Sequence, residues 1–326
     1  MEALVGLTSE TLRFLRVAAE LREPVLLLGE TGVGKNHVAR LIHERGSRRN
    51  GPFLTVNCTA LPESLLEAEL LGHERGAFTG ASAARVGLIE AADGGTLVLD
   101  EVGEIAPEVQ VKLLQVLEDS AVRRLGSNDS RRIDARLVVT TNQPMREALR
   151  TRAFRPDLYY RLALRHEIPP LRDRPTEVIT GLIKSLTMEM SNEPQVLAAD
   201  ALDVLVRCPW PGNVRELRSL LRRALITAGG GPVRAEHVTA LLDREPSTDG
   251  ESHFSGRPRY SAPSAVDEAA AIREALHIEG GHRERTAARL GMSRSTLWVK
   301  MKMYGIDALP ASAPDAPWRG AQGGGN

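Results

Sequence analysis

The sequence is poor in cysteine. It has two in 326 residues, Cys58 and Cys208, with no CxxC pair. They read as reduced, partly buried thiols of a cytoplasmic protein rather than a disulfide framework. No run approaches the ~18 apolar residues of a membrane-spanning helix. The opening MEALVGLTSE lacks a basic region followed by an apolar stretch, so no secretory signal is visible. Internal repeats are absent, and so is net charge, since 42 Lys and Arg balance 42 Asp and Glu. That zero hides an asymmetry. From His282 to Lys302 the only acid is Glu284, against Arg283, Arg285, Arg289, Arg294, Lys300 and Lys302. A polyanion partner is expected at that end only.

What is present is ample core material, with 42% hydrophobic and 26% charged residues. The runs PVLLLGE, FLTVNC, GTLVLDE and ARLVVTTN read as buried parallel strands ending in polar residues. Amphipathic stretches such as KNHVARLIHERG and PEVQVKLLQVLEDS alternate with them. Strand–helix alternation predicts an α/β domain over residues 1–168, a parallel sheet with helices on both faces. The strand signal then stops, and four helical patterns predict a small helical subdomain over 169–242. A Ser-, Pro-, Gly- and charge-rich stretch predicts a flexible linker over 243–264. Three helical segments follow within 265–307, and a disordered tail is expected over 308–326.

GETGVGK, Gly29 to Lys35, follows the first strand and opens a helix with G-x4-G-K spacing. Its members Gly29, Glu30, Thr31, Gly32, Val33, Gly34 and Lys35 predict a phosphate cradle of inward backbone N–H groups. Lys35 is expected at the β- and γ-phosphates of ATP. Asn36 stands where a Ser or Thr hydroxyl usually meets Mg²⁺. An amide oxygen is a weaker ligand for that cation. Asp100 and Glu101 end the buried strand GGTLVLDE, at the sheet edge where ligands sit. Asp100 is the expected metal-shell acid and Glu101 the residue that polarises the attacking water. Thr141 and Asn142, ending ARLVVTTN, are placed to sense the γ-phosphate. Arg155 and Arg161 in FRPDLYYRL and Arg215 in WPGNVREL are candidates for stabilising charge in phosphoryl transfer. An arginine inserted from a neighbouring subunit requires an oligomer.

ELLGHERGAFTGAS places an aromatic, Phe78, between Gly76 and Gly80, outside any apolar periodicity. The glycines read as hinges of a moving loop. Near the C-terminus, HRERTAARLGMSRSTLWVKMKMYGI has helix–turn–helix form, with Gly291 at the turn and Ser293 as N-cap. Leu297, Met301 and Tyr304 fall on one face, expected to be buried. Arg294, Ser295, Trp298 and Lys302, with Thr296, are the expected contacts to double-stranded DNA.

Together GETGVGK, FLTVNCTALPESLLEAELLGHERGAFTGA, GGTLVLDEVGE, FRPDLYYRL, PPLRDR and WPGNVREL resemble one family. These are the AAA+ P-loop ATPases that activate bacterial sigma-54 RNA polymerase, the enhancer-binding proteins. The likeness runs from about Leu4 to Ala240 and resumes over about 266–306, where it is to a Fis-type domain. It implies a lid made by the helical subdomain and a homo-oligomeric ring, commonly a hexamer. It implies a switch role for Asn57, coupling Glu101 to the nucleotide. Thr141 with Asn142 match a first sensor, Arg215 a second, and Arg155 and Arg161 the trans-acting fingers. It assigns sigma-factor contact to Gly76, Ala77, Phe78, Thr79, Gly80 and Ala81, with RRLGSNDSRRIDAR as a second loop moving with them. Departures are Asn36 for a usual Glu, Leu71 for a usual Phe and Val299 for a frequent Arg. Only 28 residues precede Gly29, too few for the receiver or ligand-binding domain common in the family. The expectation is constant competence, restraint by a trans-acting partner, or a domain cut away. Competing readings are a DNA-bound repressor that keeps the ATPase fold as a scaffold, and an ATP-driven DNA motor.

Overall fold

The computed structural model describes residues 4–78, 80–191, 196–243 and, further on, 272–277, 279, 286, 289, 290, 297, 301 and 306. The chain divides into two compact units, Met1–His253 and Phe254–Asn326.

In the first unit the strands are β1 (Val25–Leu28), β2 (Phe53–Asn57), β3 (Gly72–His73), β4 (Arg85–Val86), β5 (Thr96–Asp100), β6 (Ala121–Arg123), β7 (Ser130–Arg132), β8 (Arg136–Thr141) and β9 (Leu164–Glu167). The helices are α1 (Ser9–Glu20), α2 (Lys35–Arg45), α3 (Glu63–Leu71), α4 (Leu88–Ala91), α5 (Pro107–Asp119), α6 (Met145–Arg150), α7 (Pro156–Arg161), α8 (Thr176–Ser191), α9 (Ala199–Arg207), α10 (Asn213–Thr227) and α11 (Ala235–Leu242).

Five strands form one parallel sheet in the order β2-β5-β8-β1-β9. The continuous apolar runs resolve into two faces because side chains alternate along a strand. Val25, Leu27, Val98 and Val138 join Leu15, Ala18, Val38, Leu41 and Ile42 on the face covered by α1 and α2. Leu26, Leu97, Leu99 and Val139 join Leu66, Leu70, Val109, Leu113, Phe154 and Leu158 on the other. Full burial of one such Leu contributes about 1.5–3 kcal/mol, so both faces anchor the strand ends that carry the site.

Two readings of the strands change. β2 is an edge strand with only Val56 buried, not a buried interior strand. β9, LRHE, was not anticipated, because its charge conceals a strand at the opposite edge. There His166 is buried, stacked on Phe14 at 4.6 Å, with Nε2 2.9 Å from the Thr11 hydroxyl.

Helices α8 to α11 surround their own core of Ile179, Ile183, Leu205, Trp210, Leu217, Leu221 and Val238. Trp210 anchors the turn into α10, its indole N–H donating to the Leu205 carbonyl at 2.8 Å. In the second unit, residues 272–277 are helical. Ile272, Leu276, Leu297 and Met301 are buried together with Leu290 and Ile306 packed against them. Leu297 and Met301 thus lie inside, as their spacing predicts. Tyr304 and the expected DNA contacts Arg294, Ser295, Thr296, Trp298 and Lys302 lie outside the described residues. Among the described residues, no helix is long and apolar enough to cross a membrane.

Candidate active site and surface loops

The carboxyl ends of β1, β5 and β8 converge because these strands are adjacent and parallel. The loop between β1 and α2 carries Gly29, Gly32 and Gly34 at φ 142°, 81° and 105°. At Gly32 a side chain is excluded twice. Its φ is left-handed, and an added Cβ would lie 2.4 Å from the Gly212 carbonyl oxygen. Helix α2 starts after Gly34 with no side-chain cap. Its first N–H groups are therefore available to an anion at the positive end of the helix.

Lys35 is 6% exposed, and its Nζ donates to the carbonyls of Gly29 at 2.8 Å and Glu30 at 3.3 Å. The same Nζ is 3.5 Å from Glu101 Oε1. Glu101 adopts φ 58°, a left-handed conformation costly for a non-glycine residue. The Asn142 backbone N–H donates to Glu101 Oε2 at 3.0 Å, and the Glu101 N–H donates to Thr140 Oγ1 at 3.4 Å. Asn142 also donates from its side chain to the Thr31 hydroxyl at 3.1 Å, tying β8 to the loop.

Asp100 receives two neutral donors. Asn36 Nδ2 donates to Oδ2 at 2.9 Å, and the Thr140 hydroxyl donates to Oδ1. Thr140, which sequence reasoning missed, thus reaches the acid pair. Both threonines are buried, and the Thr141 hydroxyl accepts from the Gln143 N–H at 3.1 Å. Neighbouring strand residues point to opposite faces, so one position decides which threonine meets Asp100. Asn57 is registered opposite Asp100, and its Oδ1 accepts from the N–H and hydroxyl of Thr59 at 2.9 and 2.8 Å. Cys58 beside it has its thiol pushed up to about 12 by burial and by the charges of Asp100 and Glu101.

The lid closes one side of the loop. The Val214 N–H donates to the Gly32 carbonyl at 3.0 Å, and Arg215 follows on α10. A Cβ on Gly32 would lie 3.2 Å from Arg215 Cβ, so Arg215 begins beside the phosphate cradle. Arg155 and Arg161 are elsewhere. Arg155 pairs bidentately with Asp157 at 3.0 and 2.6 Å, and Arg161 donates to the Leu117 carbonyl at 2.8 Å. Among the described residues, neither is hydrogen-bonded to the phosphate loop of its own chain.

A second constellation lies at the GAFTGA run. Gly76 N–H donates to the Ala81 carbonyl at 2.8 Å, and Ala81 N–H to the Phe78 carbonyl at 3.0 Å. Phe78 is 41% exposed and meets His73 edge-on at 5.0 Å. Thr79 lies outside the described residues. The loop base is joined to the second loop: Glu74 N–H donates to the Leu125 carbonyl, and Leu125 N–H to Gly72. Arg124 adds side-chain ties, donating to Glu90 at 2.9 and 3.0 Å and to Glu74 at 3.1 Å. Arg131 donates to Glu90 at 2.7 Å.

Comparison with known proteins agrees with this arrangement. Residues 6–166 match the sigma-54 interaction domain, 172–253 an AAA+ ATPase lid domain and 267–304 the Fis family of bacterial regulatory proteins. The chain is 41% identical over 290 residues to the regulatory protein AtoC of Escherichia coli K12, covering 87% of this chain and 63% of that one. It is 41% identical over 311 residues to the sigma54-dependent transcriptional activator SfnR of Pseudomonas putida, covering 90% and 85%. Among solved structures, NtrX from Brucella abortus in complex with ATP aligns at a TM-score of 0.66 with 31% identity, over 93% of this chain and 70% of that one. The chain belongs to the sigma-54-dependent transcriptional activators, AAA+ ATPases with a Fis-type helix–turn–helix domain.

Proposed function

We propose that this protein binds DNA upstream of a promoter, assembles as a homo-oligomeric ring of the hexameric kind, and uses ATP hydrolysis to remodel sigma-54 RNA polymerase into the open complex. The observation that carries this reading is the joining of two constellations in one compact unit. Lys35, Asp100 and Glu101 converge at one sheet edge, and an exposed Phe78 rides on a loop tied to its neighbour by Arg124.

The donor set fits nucleotide and Mg²⁺. The N–H groups around Gly32 and Gly34 with Lys35 suit phosphates. Asp100, which accepts from two donors, suits the metal shell together with the Asn36 amide oxygen. Bound Mg²⁺ would neutralise phosphate charge during transfer. Glu101 orients and deprotonates water while the Asn142 N–H holds its carboxylate in place. Asn57, one strand over from Asp100, couples Glu101 to the nucleotide state. Arg215 reads the nucleotide from the lid. Arg155 and Arg161, which bond to Asp157 and the Leu117 carbonyl, act on the site of the next subunit. That geometry makes hydrolysis an oligomer's property. Thr141 and Asn142 together sense the γ-phosphate. Gly76 to Ala81 presents Phe78 and Thr79 to the sigma factor. Residues 265–307 hold the ring at DNA through a tether, which raises its local concentration. With DNA and sigma-54 polymerase as partners, the protein works in the cytoplasm.

The test is an open-complex assay with purified sigma-54 polymerase. Promoter opening that needs both this protein and hydrolysable ATP is expected. Thr79→Ala is expected to hydrolyse ATP without opening the promoter. Opening without ATP, or by the Thr79→Ala variant, would remove this reading.

A further inference from the structure

The phosphate loop is gripped residue by residue from the lid side. The Glu30 carboxylate receives Arg172 through two guanidinium nitrogens at 2.9 and 2.5 Å, and the Asn213 amide at 3.0 Å. The Thr31 carbonyl receives Asn213 at 3.1 Å, the Gly32 carbonyl receives Val214 N–H at 3.0 Å, and the Val33 carbonyl receives Arg174 at 2.7 Å. Four consecutive loop residues are thereby held by Arg172, Arg174 and the start of α10.

These ties differ in how easily water can replace them. Asn213 is fully buried and also accepts from the Leu171 N–H at 2.7 Å. Arg174 is 5% exposed and also donates to Pro169 and Gly6 carbonyls. Breaking either would strand buried polar groups. The Arg172 and Glu30 side chains are 41% and 42% exposed. Their pair can open into solvent with no buried orphan left behind. A carboxylate on a loop that cradles a polyanion also repels its ligand unless neutralised. Arg172 supplies that neutralisation, and its hydrogen bonds hold Glu30 ionised, with its pKa at about 2. The Glu30 backbone carbonyl meanwhile accepts from Lys35. One residue therefore connects the lid, through its side chain, to the phosphate-reading lysine, through its backbone.

We propose that Arg172 and Glu30 form a releasable latch between the lid and the phosphate loop, and that the latch sets how fast nucleotide leaves. They are positioning residues, and the latch rests on the nucleotide-binding reading above. The experiment follows dissociation of fluorescent N-methylanthraniloyl-ADP from the full chain by stopped flow. Arg172→Gln and Glu30→Gln are each expected to speed release about threefold to tenfold, the effect of one partly exposed charge-assisted pair. The double variant is expected to release no faster than either single one, because both remove the same pair. Arg172→Lys, which keeps charge but loses the fork, is expected to lie between. Unchanged release in the single variants, or multiplicative effects in the double, would overturn the latch. Wild-type protein that fails to bind the labelled ADP would overturn the latch and the nucleotide reading together. Wild-type binding with no response to these changes would overturn the latch alone. If Arg172→Gln fails to fold, Glu30→Gln and Arg172→Lys carry the comparison.

Discussion

Asn36 donates its side-chain amide to Asp100 across 2.9 Å, linking the first turn of α2 to the end of β5. With Thr140 on its other oxygen, Asp100 is held by donors from two elements. Asn36→Ala removes one exposed hydrogen bond from an amide to a carboxylate. The Mg²⁺ concentration for half-maximal ATPase is expected to rise about threefold to tenfold, as a Mg²⁺ titration would show. An unchanged titration would mean that Asp100 needs no help from α2.

Lys35 and Glu101 lie 3.5 Å apart, and replacing each is expected to fail at a different step. Lys35→Ala is expected to abolish ATP binding, measured by equilibrium titration. Glu101→Gln is expected to bind ATP and fail to turn it over, a loss on the order of 10²-fold or more for a missing base. Normal turnover in Glu101→Gln would remove the base assignment.

Arg124 holds Glu74, at the foot of the GAFTGA loop, together with Glu90. Arg124→Gln breaks charge-assisted bonds at an 11% exposed side chain. It is expected to destabilise the unit by about 1–3 kcal/mol and to lower promoter opening more than ATPase. Denaturant melts and the open-complex assay read the two effects separately. Equal losses of hydrolysis and opening would show that the loop base is not the affected part.

His166 gives a pH dependence. Burial lowers its pKa below the ordinary 6.5, against the opposing charges of Glu10 and Glu167. The folded state therefore resists protonation more than the unfolded chain does. Stability is full above 6.5 and declines as pH falls from there toward the folded value. His43, lowered by burial as well, acts in the same sense. Urea midpoints are expected to drop between about pH 7 and 5, and His166→Gln is expected to flatten that slope. A midpoint as high at pH 5 as at pH 7 would contradict this.

Much of the site was legible in the chain because its signals are local. A glycine-spaced loop after a Val- and Leu-rich run can be read without coordinates, and so can an acid pair ending such a run. Thr140 was not legible. It and Thr141 are adjacent in ARLVVTTN, and only strand orientation shows which hydroxyl meets Asp100. The role of Asn213 was equally hidden, because its partners Glu30 and Leu171 are distant in sequence. β9 escaped notice because an edge strand needs few apolar residues on its open side.

Residue order alone set out a glycine-spaced loop ending in a lysine, an acid pair closing an apolar run, and an aromatic between glycines. These depend on residue type and short spacing, which covalent order alone sets. Only the tertiary structure decided which groups touch. It joined Asn36 to Asp100, put Arg172 on Glu30, and paired Arg155 with Asp157 and Arg161 with the Leu117 carbonyl. Such pairings cross from one strand or subdomain to another. Their register follows from how a sheet buried on both faces and a separately cored lid pack together.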